Sequence, residues 1–427
     1  MRAHLSSPAR TAASAPPPAT FAEALAPHAI DMATLHARHA PLLELVRRLI
    51  GVVPNCDPYL EIWPTAFRTY NVMVPNLLNL PLLLVGASVD KAMLGMAMYA
   101  SSRAASCAYC SAHTCAFALR RGAAADKVAR IATEDRSALD ARELAVVDVA
   151  EAISVVPSAL TDAQRAALRR GFSEADVEWI VLGVAMMGFL NKWMDALGVE
   201  LEQASVDEVE GVIGGSGWSS GKHRVVPTSP ELTLSSRPDG LRVLASLLPS
   251  LPGAIARDLR WTKGVPSKAA AARAWIEREV GADLPMIARL THGRAIRAIA
   301  TMVRDNLVAR DTQLGLRAKH LAAVVFGRVV EDEALVALGR ELATRGGVDR
   351  DVLEAVAGGA LEVRDGLDER TRVALLTARA LSPSPAGSSP ELIERATRIL
   401  GPAGVVELVT LLSVLQMLHR LAVFYAA

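Results

Sequence analysis

Aromatic residues make up only 4% of this 427-residue chain, and cysteine occurs four times. With so few aromatics among 51% hydrophobic residues, mostly Ala, Leu and Val, the composition favours helices over strands. Charge of one sign is not in excess: the net formal charge is +1, so no global pull toward nucleic acid is expected. The basic residues are dispersed, and "ELVRRLIG" and "FALRRGAA" read as solvated helix faces. The N-terminus has no apolar stretch of the kind a secretory signal needs. Long uninterrupted apolar runs are missing too. "WIVLGVAMMGFL" (179–190) is too short to span a bilayer, and the C-terminal apolar stretch is interrupted by Glu407, His419 and Arg420. Both read as buried helices of a core or subunit interface. The expectation is a cytoplasmic protein, oligomeric with itself, with no nucleic-acid or membrane partner.

The length implies two or three domains, since single cores rarely exceed about 250–300 residues. Residues 1–28 are rich in Ala, Pro and Ser and are expected to form a disordered tail. Beyond them the periodicity is helical. "PLLELVRRLIG" (41–51) carries one apolar face. Asp140 and Glu143 form a capping-box pattern ahead of a helix to residue 154. Ser173, with Asp176 in the box position, opens a long apolar helix that should stop at Gly198. The stretch around 212–231 is Gly/Ser/Pro-rich, and a linker over 209–236 is expected between domains at 29–208 and 237–427. The two halves resemble each other. Asp140 aligns with Asp368 and Glu178 with Glu407, and both segments run helix, Pro/Ser break, short helix, long apolar helix. This reads as an internal duplication. Where the first half has "RAASCAYCSAHTCAFAL", the second has "RVVEDEALVALGR", without cysteine or histidine.

Three of the four cysteines lie in "SCAYCSAHTC" (106–115). Cysteines spaced as Cys107 and Cys110 at a helix start can close a small disulfide, and the N-terminal dipole stabilises a thiolate. His113, three residues beyond Cys110, is its neighbour on a helix and can serve as base or charge partner. Buried structural thiols and zinc are the competing readings. Zinc is disfavoured because these residues are all local, whereas structural zinc sites draw ligand pairs from separate segments. Cys115, on another side of the helix, reads as core, and Cys56, among prolines, as structural. His320 and His419, on apolar helices, read as packing residues. "GVIGGSG" lacks a Walker ending and follows no strand.

"SRAASCAYCSAHTCAFALRRG" and "FLNKWMDALGVELE" resemble the AhpD-like alkylhydroperoxidase and carboxymuconolactone decarboxylase superfamily over roughly residues 40–202, with the second half as a degenerate copy. The resemblance implies an all-α fold of two helical bundles and a thiol-dependent peroxidase or disulfide reductase, in which Cys110 attacks a hydroperoxide, Cys107 resolves it, His113 relays protons and an external dithiol, such as a lipoyl group, reduces the disulfide. No cofactor or metal is implied. Two positions depart from the family pattern. Thr114 stands where the family histidine usually lies, so His113 is one residue early, and Gly95 stands in place of the family's upstream glutamate. Another acid, from the second half for instance, must then orient the imidazole. The alternative reading is a non-catalytic or decarboxylase-like helical scaffold.

Overall fold

The computed structural model describes residues 17–425 apart from Glu134, 235–240, Asp283 and 363–365. The fold is all-α, with one two-residue parallel strand pair. The first half runs α1 (Phe21–Leu25), α2 (Met32–Ile50), α3 (Asp57–Leu60), α4 (Pro64–Leu77), α5 (Lys91–Ala104), α6 (Ala108–Arg120), α7 (Ala125–Ile131), α8 (Ala141–Ser154), α9 (Asp162–Gly171) and α10 (Glu174–Leu197). Then come β1 (Leu201–Glu202), α11 (Gln203–Ile213), β2 (Val225–Val226), α12 (Leu241–Leu247) and α13 (Leu251–Trp261). The second half follows as α14 (Ala269–Val280), α15 (Pro285–Ala288), α16 (Gly293–Val303), α17 (Leu316–Val329), α18 (Glu333–Arg345), α19 (Arg350–Ala357), α20 (Glu369–Leu381) and α21 (Pro390–Tyr425).

Local chemistry sets the helix ends. Asp140 and Glu143 form the expected capping box of α8, and Ser173 caps α10 by accepting from the Asp176 amide. Gly198 ends α10 in the left-handed conformation, which costs a glycine no steric penalty. Asp368 caps α20 as Asp140 caps α8. The two long apolar helices, α10 and α21, pack against each other at the centre, where Trp193 Nε1 donates to Thr410 Oγ1 over 3.2 Å. By length and composition either could cross a membrane, but their most apolar windows are 94% and 78% buried within the protein. Around this pair, α5 packs on α6 and α8 in the first half, and α17 on α18 and α20 in the second.

Two expectations about the chain need correction. The expected disordered tail is ordered over 17–28, while residues 1–16 lie outside the described residues. Thr20 caps α1, and Phe21 and Leu25, one turn apart, are fully buried, so two apolar anchors hold a segment whose average composition is that of a tail. The stretch expected as a linker is docked on the first half. Residues 209–213 complete α11, β2 pairs with β1, and the Val53 and Leu234 amides donate to the Leu232 and Gly51 carbonyls; residues 235 and 236 of that stretch lie outside the described residues.

Candidate functional site

The site is built at the corner between α5 and α6. Ser106 takes a positive φ of 55°, which turns the chain sharply enough for Cys107 to become the N-cap of α6. The Cys107 sulfur accepts from the Cys110 amide at 3.3 Å, doing for the helix what a Ser or Asp cap does. Cys110 therefore lies in the first turn, where its thiol and that of Cys107 are in hydrogen-bonding contact. The pair sits at a helix start, as expected from sequence, and none of the four cysteines is in a disulfide. Ser111 Oγ and Thr114 Oγ1 donate to the carbonyls of Cys107 and Cys110, fixing the turn that carries both thiols.

The two thiols have opposite electrostatics. Burial raises the Cys107 thiol, but the Cys110 hydrogen bond and the His223 imidazole outweigh it and bring its pKa down to about 6. Burial pushes Cys110 well up, and the neighbouring Cys107 adds to the effect. His223 is itself buried. Burial lowers its pKa, yet the Cys107 thiol, the Val199 carbonyl and Asp195 raise it on balance. Its Nδ1 lies 2.7 Å from the Val199 carbonyl oxygen, an acceptor that requires a proton on Nδ1, and Nε2 is buried with no hydrogen bond of its own, 4.0 Å from Asp195 Oδ1. Cys107 and His223 thus favour each other's charged form. The family resemblance puts the attacking thiol at Cys110, whereas the field stabilises negative charge at Cys107.

His113 has its own acid. Its Nε2 is 2.8 Å from Glu202 Oε2, and Glu202 also accepts from Tyr109 Oη at 2.9 Å and from the Asn55 amide. Glu202 is completely buried. With Nε2–H committed to the carboxylate, Nδ1 is the basic nitrogen, and it is buried without a hydrogen-bond partner. The orienting acid thus belongs to β1, at the end of the first half. Gly95 could not supply it. A Cβ there would fall 2.7 Å from the Ala118 Cα, so the glycine is what lets α5 and α6 cross closely. Beside Glu202, the Asp57 carboxyl is buried with neither oxygen bonded, and burial and Glu202 raise its pKa to about 8, which keeps it neutral at pH 7.

Cys110 and His113 share the wall of one cavity of about 70 Å³ with Tyr109 and Cys56. Apart from Tyr70 and Thr114, the rest of its lining is apolar, including Met98, Met186, Met187 and Met194. Cys107 lies behind this wall and is fully buried. Arg420 approaches the thiols from α21. It is buried, and its Nη1 donates to Ser101 Oγ at 2.7 Å and to the Val184 carbonyl at 2.9 Å. Burial lowers its pKa to about 9 against the pull of both cysteines, so it remains a cation at neutral pH. Cys115 is buried in the core as read from sequence, but Cys56 faces the cavity. Among the described residues, no group of three or more His, Cys, Asp and Glu side chains is placed to hold a metal ion.

Sequence reasoning brought out Cys107, Cys110 and His113, which the fold does bring together, and missed Glu202, His223, Tyr109 and Arg420. Tyr109 was visible as the spacer of the cysteine pair. Its ring lies 4.5 Å from the His113 ring and 5.7 Å from that of His223. No family model, curated protein or solved structure matches this chain.

Proposed function

We propose that this chain is a thiol-dependent peroxidase whose substrate enters the cavity at Cys110. The observation that carries the reading is a dithiol at a helix start, flanked by two histidines with separate partners, His113 on Glu202 and His223 on the Val199 carbonyl. His113 Nδ1 takes the Cys110 proton, and the Cys110 sulfur attacks the terminal peroxide oxygen. The O–O bond breaks, Cys110 becomes a sulfenic acid, and the proton passes from His113 to the leaving alkoxide, giving an alcohol. The Cys107 thiolate then attacks the Cys110 sulfur. The S–O bond breaks, hydroxide leaves as water with the His223 proton, and the disulfide forms. The dithiol loses two electrons to the peroxide, and an external dithiol restores it by exchange. A cavity of about 70 Å³ admits hydrogen peroxide or the head of a slender alkyl hydroperoxide.

We also read the two halves as an AhpD-like duplication whose second copy has become structural. The succession α5 to α10, matched by α17 to α21 with α21 bent at Gly401, and the matched caps Asp140 and Asp368 support this reading. The test of function is peroxide consumption with a lipoyl or other small dithiol. Turnover that disappears in Cys110→Ser supports a peroxidase, and turnover that is absent from the intact protein leaves the helical scaffold as the better reading.

A further inference from the structure

Five large hydrophobic side chains stand exposed among the described residues: Leu82, Val85, Leu248, Ile255 and Leu259. Two of them line one cavity, and the other three are chain neighbours of residues that line it. Ile255 and Leu259 of α13 line a cavity of about 440 Å³ between α13 and helices α2, α4 and α16, and the other three adjoin its lining residues Pro81, Leu84 and Leu247. This cavity shares no lining residue with the thiol cavity. Its volume falls in the range of about 300–1,000 Å³ typical of small-molecule sites. A cluster of exposed apolar side chains round a cavity is also where ligands or partners bind.

The lining is mostly apolar, with Asn71 and Ser267 among it, and its charged side chains are Asp258, Arg294 and Arg297. Along one edge Arg294 Nε donates to Asn76 Oδ1 at 2.6 Å, with Nη1 on the Leu80 carbonyl, and Arg297 donates to the carbonyls of Val265 and Thr262 at 3.1 and 3.2 Å. One carboxylate, Asp258, shares this edge and accepts from Asn76 Nδ2 at 2.7 Å. Two guanidiniums against one carboxylate leave the edge positive. Their hydrogen bonds go to neutral acceptors, and Asp258 acts on Arg294 from beside it, so one carboxylate offsets only part of the charge of two guanidiniums.

We propose that this cavity binds a single amphipathic small molecule, with an apolar chain against α13 and a carboxylate or similar anionic head on the Arg294–Arg297 edge. Neither the peroxidase reading nor the cysteines enter into it. The test is calorimetric titration of the full chain with dodecanoate below its micellar concentration, beside dodecanol and dodecylammonium. Expected are one saturable site for dodecanoate, binding about tenfold weaker for dodecanol, and weaker still for the cation, since one charge-assisted contact is worth about that factor. Ile255→Glu places a carboxylate on the exposed rim without touching the core and should weaken dodecanoate at least tenfold. Ala254→Trp, which fills the cavity, should abolish it. No saturable binding of dodecanoate, or binding of the cation as tight as that of the anion, overturns the proposal. So does a dimer of the intact chain that Ile255→Glu dissolves, because the patch would then be an interface between copies.

Discussion

The corner between α5 and α6 and the corner between α17 and α18 have the same construction. Both leading helices have fourteen residues. Ser106 and Glu331 turn the chain with φ of 55° and 56°, and the next residue in each case caps the following helix. Cys107 N–H reaches the Ser102 carbonyl at 3.1 Å, and Asp332 N–H reaches the Gly327 carbonyl at 2.9 Å. In the second corner the cap is a carboxylate with a histidine on it, His419 Nδ1 lying 2.8 Å from Asp332 Oδ2. In the first it is a thiol beside His223. The second corner shows what this geometry is suited to hold, an anion at a helix N-terminus against an imidazole. A thiol in that place is set up to ionise. What distinguishes the first corner is the cavity in front of it, with Cys110 and His113 on its wall, and the acid on β1 behind.

The largest effect that would break this contrast comes from Cys110→Ser. It should abolish dithiol-dependent peroxide consumption, whereas Cys107→Ser should leave a Cys110 sulfenic acid that a dimedone probe traps. Next, His113→Ala should slow peroxide consumption roughly a hundredfold or more, the range for loss of a general base. Glu202→Gln should share part of that loss, and a full rate in both variants would remove His113 from the relay. In the second corner, Asp332→Ala leaves the His419 Nδ1 buried without its hydrogen bond and should cost about 1–3 kcal/mol in chemical denaturation, with the peroxidase rate per folded molecule unchanged. Gly95→Glu introduces an acid at the crossing of α5 and α6 but has no space. It should destabilise by at least about 1–3 kcal/mol without raising the rate. A faster and equally stable variant would show that α5 and α6 can separate there.

Much of the first half was legible before any coordinates. Asp140, Ser173 and Gly198 announce helix ends through local hydrogen-bond chemistry, and the cysteine spacing announces a helix start. Glu202 and His223 were not legible, because nothing local marks them. They reach the site through the parallel pairing of β1 with β2, which are joined by α11 and a Gly/Ser-rich stretch without periodicity. Phe21 and Leu25 were hidden by the alanines and prolines around them, and Arg420 by the apolar helix that carries it. Gly95 read as a lost catalytic residue, but the crossing of two helices requires it.

The central claim is that Cys107 holds a thiolate at neutral pH because of where it sits. A lowered thiol pKa means that the ionised form favours the fold. That stabilisation is complete above the ordinary thiol value of about 8.5 and is lost as pH falls through the folded value of about 6. Titration of the ultraviolet thiolate absorbance measures this directly. The intact protein should show one thiolate appearing well below the ordinary thiol range, absent in Cys107→Ser and moved toward alkaline pH in His223→Gln. A protein with no thiolate signal until the ordinary thiol range, or one whose early step survives Cys107→Ser, would contradict the account.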